Sequence, residues 1–255
     1  MPLVTLTTDF GLQDPYLAML KGTLLCETPD LTLVDISHNV KNFDIVQAAY
    51  IFKTAFKSFP PGTIHLITVN DLAAAAQSYL VFKQFDQFFI LPDNGMLGLI
   101  MEKHQGPVYN VGPASAIGTK KGLAVLVNRI SRNVPLDQLG TLTEEVVQRF
   151  TLQPVLNNNQ IRGTIIYIDN YDNAISNIKR NLFEQVSKKR PFEISFKRHP
   201  PITTLSENYG SVEIGMPLCR FNQADYLEIA INMGKAASLL GLRLEEMIQI
   251  DFNDS

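Results

Sequence analysis

Asp9 is the first residue of the chain that is placed to do chemistry. It stands in Thr7-Thr8-Asp9-Phe10-Gly11, directly after the β-rich run Leu3 to Thr8. If that run opens a parallel sheet, the carboxylate lies at a strand's carboxyl end, where open α/β sheets bind ligands. A carboxylate there can accept hydrogen bonds from both hydroxyls of a ribose. It can equally be a turn residue that prepares for Gly11. Asp35 and His38, in Asp35-Ile36-Ser37-His38, close the next strand. The pair suits acid/base work, half a metal site or a hydrogen-bonded strand end. No further His, Cys or acidic cluster completes a metal site, and the strand-end reading is preferred. His65 falls inside a strand and reads as a packed core histidine. His104 and His199 stand in polar loops and carry no signal.

Two further segments bear polar groups at turns. In Pro92-Asp93-Asn94-Gly95 the Asn-Gly pair supplies a left-handed backbone and marks a tight turn. Ile168-Asp169-Asn170-Tyr171-Asp172-Asn173 offers an aromatic face flanked by amides and carboxylates. That combination suits a purine, which takes stacking and edge hydrogen bonds; a surface hairpin is the competing reading. The chain has no Gly-x-Gly-x-x-Gly, no Walker A sequence and no Gly-x-Ser-x-Gly elbow. Dinucleotide, nucleoside-triphosphatase and serine-hydrolase functions therefore have no support.

These residues need elements to hold them. Asp14-Pro15 predicts an N-cap and first helical position, with Leu17, Leu20 and Leu24 at helical spacing and Thr28-Pro29 as the stop. Leu31 to Ile36 predicts a second strand. Asp44 predicts the cap of a second helix carrying Ile45, Ala48, Ala49, Phe52, Ala55 and Phe56 on one stripe. Thr63 to Val69, apolar almost throughout, predicts a strand covered on both faces. This order predicts a parallel sheet with right-handed crossovers. A hairpin around Gln84 to Gln87 and a helix over Lys120 to Arg132 follow. Pro154 and the asparagines 157–159 mark a surface connection over Leu152 to Gln160. The expected domains are 1–152 and 160–255. In the second, short β-rich runs at Gly163 to Ile168, Phe192 to Phe196, Ser211 to Ile214, Tyr226 to Ile231 and Met247 to Ile250 predict a small barrel or sandwich. A short helix is expected over Lys235 to Leu240.

Composition narrows the partners. A net charge of −3 gives no electrostatic case for nucleic acid or an anionic membrane. No apolar run approaches the ~20 residues of a membrane helix. The N-terminus reads as a strand and not as a signal peptide, so a cytoplasmic location is expected. Cys26 and Cys219 form no metal or redox motif and are expected as buried, inert thiols.

Taken in order, the segments resemble the S-adenosyl-L-methionine (SAM) hydroxide adenosyltransferase family, which is similar to the SAM-dependent fluorinase and chlorinase. The resemblance rests on Leu6 to Gly11, Lys21-Gly22, Val34 to His38, Phe59-Pro60-Pro61-Gly62-Thr63-Ile64-His65 and Pro92 to Gly95. In the second half it rests on Ile168 to Asn173 through Asn177-Ile178, and on Tyr226-Leu227-Glu228-Ile229-Ala230. It implies a Rossmann-like N-terminal α/β domain joined to a smaller C-terminal β-barrel. It also implies a homotrimer with the ligand between subunits, SAM or adenosine as the small-molecule ligand, and no cofactor. The implied reaction is attack by water on C5′ of SAM, giving adenosine and L-methionine.

Carried over by position, Asp9 matches the residue that holds the ribose hydroxyls and Phe43 an aromatic beside the ribose. Tyr171 takes the place of the family's Phe on adenine, and Tyr209 matches a second aromatic near the base. Asp169 and Asn173 match residues on the methionine amino-acid end. The catalytic stretches depart from the family. Its Asp-Pro-Gly-Val-Gly followed by Arg is here Val69-Asn70-Asp71-Leu72-Ala73-Ala74-Ala75-Ala76-Gln77, so Asn70 takes the Asp position and Asp71 follows it. Its Thr-Phe-His-Gly-Arg-Asp is here Ser115-Ala116-Ile117-Gly118-Thr119-Lys120, and its Asn-Ser is Asn222-Gln223. The expectation is a SAM hydrolase-like protein acting through Asn70 and Asp71. The alternative is a catalytically impaired protein of the same fold that binds SAM or adenosine.

Overall fold

Strand and helix alternate from Leu3 onward in the computed structural model, which describes residues 1–71, 78–101, 104–197 and 199–253. The order is β1 (Leu3–Thr8), α1 (Tyr16–Glu27), β2 (Thr32–Ser37), α2 (Ile45–Ala55), β3 (Ile64–Thr68), β4 (Ser78–Gln84) and β5 (Gln87–Pro92). Then come α3 (Met96–Ile100), β6 (Val108–Pro113), α4 (Ala114–Ile117), α5 (Lys120–Ser131) and β7 (Thr141–Thr143). These elements lie in one compact unit, Met1–Thr151; Leu152–Ser255 form a second.

In the first unit β1 pairs in parallel with β2 and β3, and β3 with β5. The strands β4, β6 and β7 add antiparallel pairs, giving the order β2-β1-β3-β5-β4-β6-β7. Successive side chains of a strand point to opposite faces. Accordingly, Ile64 and Leu66 join α1 and α5 in one core cluster, while Ile67 and Val69 join α2 and α3 in the other. The hairpin β4–β5 closes on the pair Gln84 and Gln87, with Phe85 (φ 52°) and Asp86 (φ 57°) both left-handed. That backbone suits a two-residue turn between twisted strands. Asp44 caps α2 by accepting from the Gln47 N–H at 2.9 Å. The expected Asp14 cap is absent: α1 starts at Tyr16 with Pro15 in the cap position, its ψ of −5° already helical, and no side chain bonds there. Cys26 is also unlike its expectation, being exposed, because it falls off the stripe of Leu17, Leu20 and Leu24 that faces the core. Cys219 is buried, and burial drives its thiol pKa up.

The second unit contains β8 (Val155–Asn157), β9 (Gln160–Ile168), β10 (Ala174–Lys179), α6 (Arg180–Ser187), β11 (Phe192–Ser195), β12 (Pro217–Phe221), β13 (Tyr226–Ile231), α7 (Ala236–Leu240) and β14 (Met247–Phe252). All pairs between its strands are antiparallel, in the path β11-β14-β9-β10-β13-β12 with β8 added on β9. The path is open at β11 and β12, so the sheet is a half-barrel. Ile161, Ile194, Leu227 and Ile250 meet in its single core cluster. Ser211 to Ile214, expected as a strand, is not one. Asn208 and Ser211 form a reciprocal capping box that closes a 3-10 turn over Tyr209–Ser211, and Ile214 is exposed beyond it. The strand before Tyr226 is Pro217–Phe221 instead.

Candidate functional site

Asp9 leaves β1 at the carboxyl edge of the parallel strands. Its Oδ2 accepts the backbone N–H of Phe43 at 3.0 Å and that of Asn70 at 3.4 Å, and its carbonyl accepts from the Asn42 side chain at 3.0 Å. One carboxylate thus ties together the segments that follow β1, β2 and β3. Phe43 (φ 67°) and Asn70 (φ 51°) are both left-handed. For residues other than glycine that conformation costs about 1–2 kcal/mol, and it persists only where the surroundings hold it. The Asp9 carboxylate is what holds it here. Phe43 is 71% exposed.

The left turn at Asn70 takes the chain out of strand geometry directly after Thr68 and Val69. The alternation of a straight strand therefore does not decide where Asp71 points. Its Oδ2 accepts the Tyr79 hydroxyl at 3.0 Å. Burial raises the Asp71 pKa and the Asp9 charge adds to this. Bonds from Tyr79 and its own amide, and the Lys120 charge, offset part of the rise. Asn94 braces the corner from below. It is buried, and its amide donates to the carbonyls of Val69 at 2.9 Å and Asn70 at 3.1 Å. Gly95, at φ 98°, lets the chain turn there into α3. The stretch Leu72 to Gln77 lies outside the described residues.

Asp35 and His38 support this edge and do not enter it. His38 Nδ1 lies 2.9 Å from Thr8 Oγ1, and its Nε2 lies 3.0 Å from Asp35 Oδ1. Asp35 Oδ2 in turn takes Lys21 Nζ at 2.6 Å. Burial pushes the Asp35 pKa up, but the bonds and charges of Lys21 and His38 outweigh it, and the net shift is downward. His65 is a core residue: Thr5 Oγ1 meets its Nδ1 at 2.7 Å, and burial lowers its pKa to about 4.

In the second unit the β9–β10 loop is organised by Asp169. Its Oδ1 accepts the N–H groups of Tyr171 and Asn173 at 2.9 and 2.8 Å, and its Oδ2 accepts the Asn173 side-chain amide at 3.0 Å. Tyr171 is held at the tip, 78% exposed. Asp172 (φ 70°) accepts from Ser238 N at 2.6 Å and so caps α7. Near this loop, Tyr209 donates to Glu228 Oε1 at 2.8 Å, and the Arg220 guanidinium lies over the Tyr209 ring at 4.7 Å. Burial, then the Glu228 bond and charge, raise the Tyr209 pKa to about 12. Glu228 is buried and its pKa is raised by burial, with the Asp169 charge adding and Tyr209, Arg220 and Asn222 opposing. Gln223 sits exposed on the β12–β13 turn and makes no hydrogen bond or ion pair among the described residues. The structure gathers Asp9, Phe43, Asn70 and Asp71 at one sheet edge and adds Tyr79 and Lys120 there and Glu228 and Arg220 in the second unit, four residues that the sequence did not single out. Glu228 did carry a signal, as a charged residue inside the apolar strand Tyr226–Ile231.

A sequence profile described as SAM hydroxide adenosyltransferase N-terminal domain matches residues 4–132, and the corresponding C-terminal domain profile matches 163–249. The chain belongs to the SAM hydroxide adenosyltransferase family. It is 25% identical to an (R)-S-adenosyl-L-methionine hydrolase of Methanocaldococcus jannaschii, over 98% of this chain and 96% of that one. A Thermus thermophilus protein of the same name is 26% identical over 92% and 94%. A Nocardia brasiliensis fluorinase is 22% identical over 98% and 96%. In fold, the chain is similar to a Thermotoga maritima conserved protein at a TM-score of 0.86 and 24% identity, covering 98% of this chain and 99% of that one. Ile117 is half-buried and packs against the core cluster of α1 and α5.

Proposed function

We propose that this chain is a SAM hydrolase that directs water onto C5′ of SAM. The observation that carries the reading is the corner where Asp9, Asn70 and Asp71 meet at the sheet's carboxyl edge, in a chain of this family. The water oxygen bonds C5′, and the C5′–S pair goes to sulfur, which leaves as the neutral thioether of methionine. The water's proton passes to a carboxylate. The sulfonium is already a good leaving group, so orientation and exclusion of bulk water supply much of the rate. Asp71 is assigned the water. A carboxylate can orient it and take its proton, whereas the amide of Asn70 can only orient it.

Asp9 is assigned the ribose hydroxyls, since each carboxylate oxygen accepts two bonds and its Oδ1 carries none of the loop contacts. Phe43 is assigned the ribose face, Tyr171 and Tyr209 the adenine, and Asp169, Asn173 and Gln223 the methionine end. Three internal bonds on Asp169 support its role as the brace of that loop at least as much as a direct contact. The first unit is read as Rossmann-like and the half-barrel as the family's barrel. The functional form is read as a cytoplasmic homotrimer with composite sites. Ile117 and Asn70, both lacking the acid/base groups of the family, favour a second reading, binding without turnover.

Chromatography of a SAM time course decides between them. Wild type should release adenosine and methionine, and Asp71→Asn should lower the rate about a hundredfold, the usual scale for a lost general base. Adenosine binding in calorimetry without any release would establish the second reading. Faster release by Asn70→Asp would assign the water to that position instead.

A further inference from the structure

A carboxylate orients water well only if its own side chain is held in place. Tyr79, near the start of β4, is fully buried in the core cluster shared with α1 and α5. Its hydroxyl is the group that reaches Asp71 Oδ2, at 3.0 Å. Gly118 closes the same corner: a Cβ there would stand 3.1 Å from the Tyr79 ring and 3.5 Å from Asp71 Oδ2. Two residues on, Lys120 opens α5, and its Nζ lies 5.6 Å from the Tyr16 ring centroid. Its charge acts on Asp71.

Resting on the reading of Asp71 given above, we infer that Tyr79 is the positioning residue for Asp71, and that Lys120, which opens α5 two residues after the Gly118 that closes this corner, balances its charge. A Tyr-Asp-Lys set then orients the attacking water in this chain. Tyr79 acts as a donor throughout. Burial, the Asp71 charge and bond, and the Asp9 charge hold its pKa well above the ordinary tyrosine value, so it keeps its proton. The proton released by the water goes to Asp71 and from there to solvent.

Four groups bear on the Asp71 titration: Asp9, Lys120, Tyr79 and its own backbone N–H. Two of them can be removed singly. Tyr79→Phe deletes only the hydroxyl from a buried ring. Lys120→Met deletes a charge at the surface end of α5 and leaves the core untouched, so it serves if the first variant folds poorly. Each loss favours the protonated form of Asp71. The acid limb of adenosine release should therefore move to higher pH in both variants. In Tyr79→Phe, kcat should also fall about tenfold with KM unchanged, as expected for a lost hydrogen bond to a charged group. A purely structural tyrosine would lower the melting temperature and leave the limb in place.

The Asp71 carboxyl resonance, assigned by its disappearance in Asp71→Asn, reads the same titration by carbon-13 NMR without substrate. A midpoint unmoved by both variants overturns the inference. Absence of adenosine from wild type overturns the hydrolase reading alone, because the NMR titration still decides whether Tyr79 and Lys120 control Asp71.

Discussion

Asp9 holds two backbone N–H groups and is proposed to hold the ribose hydroxyls, and the two roles can be separated by substitution. Replacement by Ala would remove a ligand group and also free the N–H groups of Phe43 and Asn70, whose left-handed turns it holds. Asp9→Asn keeps a carbonyl oxygen for those N–H groups and removes the charge. Charge-assisted bonds to ribose hydroxyls then become neutral ones, a loss of about 1–2 kcal/mol. Calorimetry should show adenosine affinity falling about five- to thirtyfold, with the melting temperature close to wild type. Unchanged affinity would remove Asp9 from the ribose site. At this scale the sequence was legible where a polar residue follows a strand, as with Asp9 and Asn70. It was not legible where the partner is buried in another element. Tyr79 looks like any aromatic residue of an apolar strand until its hydroxyl is seen to meet Asp71. Lys120 looks like a helix-surface charge until α5 is seen to begin beside the same carboxylate.

Among the elements, β3 carries a pH dependence of its own. His65, in the middle of this strand, is neutral in the fold because burial lowers its pKa to about 4 from an ordinary 6.5. In the unfolded chain it takes up a proton below pH 6.5. The stabilisation is therefore complete above pH 6.5 and is lost as pH falls toward 4. Linkage over that interval amounts to on the order of 3 kcal/mol. Urea unfolding of wild type should show this loss, and His65→Phe, set among Phe52, Phe56, Phe59 and Phe89, should show much less of it. Equal slopes would place the titration elsewhere. Strands with dense apolar content, such as Leu3–Thr8 and Tyr226–Ile231, were readable to the residue. The helix Arg180–Ser187 was not, because its apolar face, Phe183 with Val186 partly buried beside it, spans only about two turns and is too short to stand out from the strands around it. Ser211 to Ile214 misled for the opposite reason: its composition suits a strand, but a capping box upstream commits the backbone to a turn.

At the scale of the molecule, the proposed ligand residues are divided between the two units, and several apolar side chains within about ten residues of the Thr151–Leu152 junction in sequence are exposed. Leu142 is 63% exposed, Phe150 87%, Leu152 70% and Val155 69%. Light scattering should give three times the chain mass; a monomer at micromolar concentration would refute the composite trimeric site. The boundary has another consequence. Among the described residues every strand pair and every core cluster lies on one side of it, and the chain crosses it between Thr151 and Leu152. A gene cut at that codon would divide no sheet and open no core. Recombination between relatives at that seam would exchange one unit for its counterpart while leaving the core clusters of the other intact. The corner of Asp9, Asn70 and Asp71, carried whole on the first 151 residues, would be inherited as one piece.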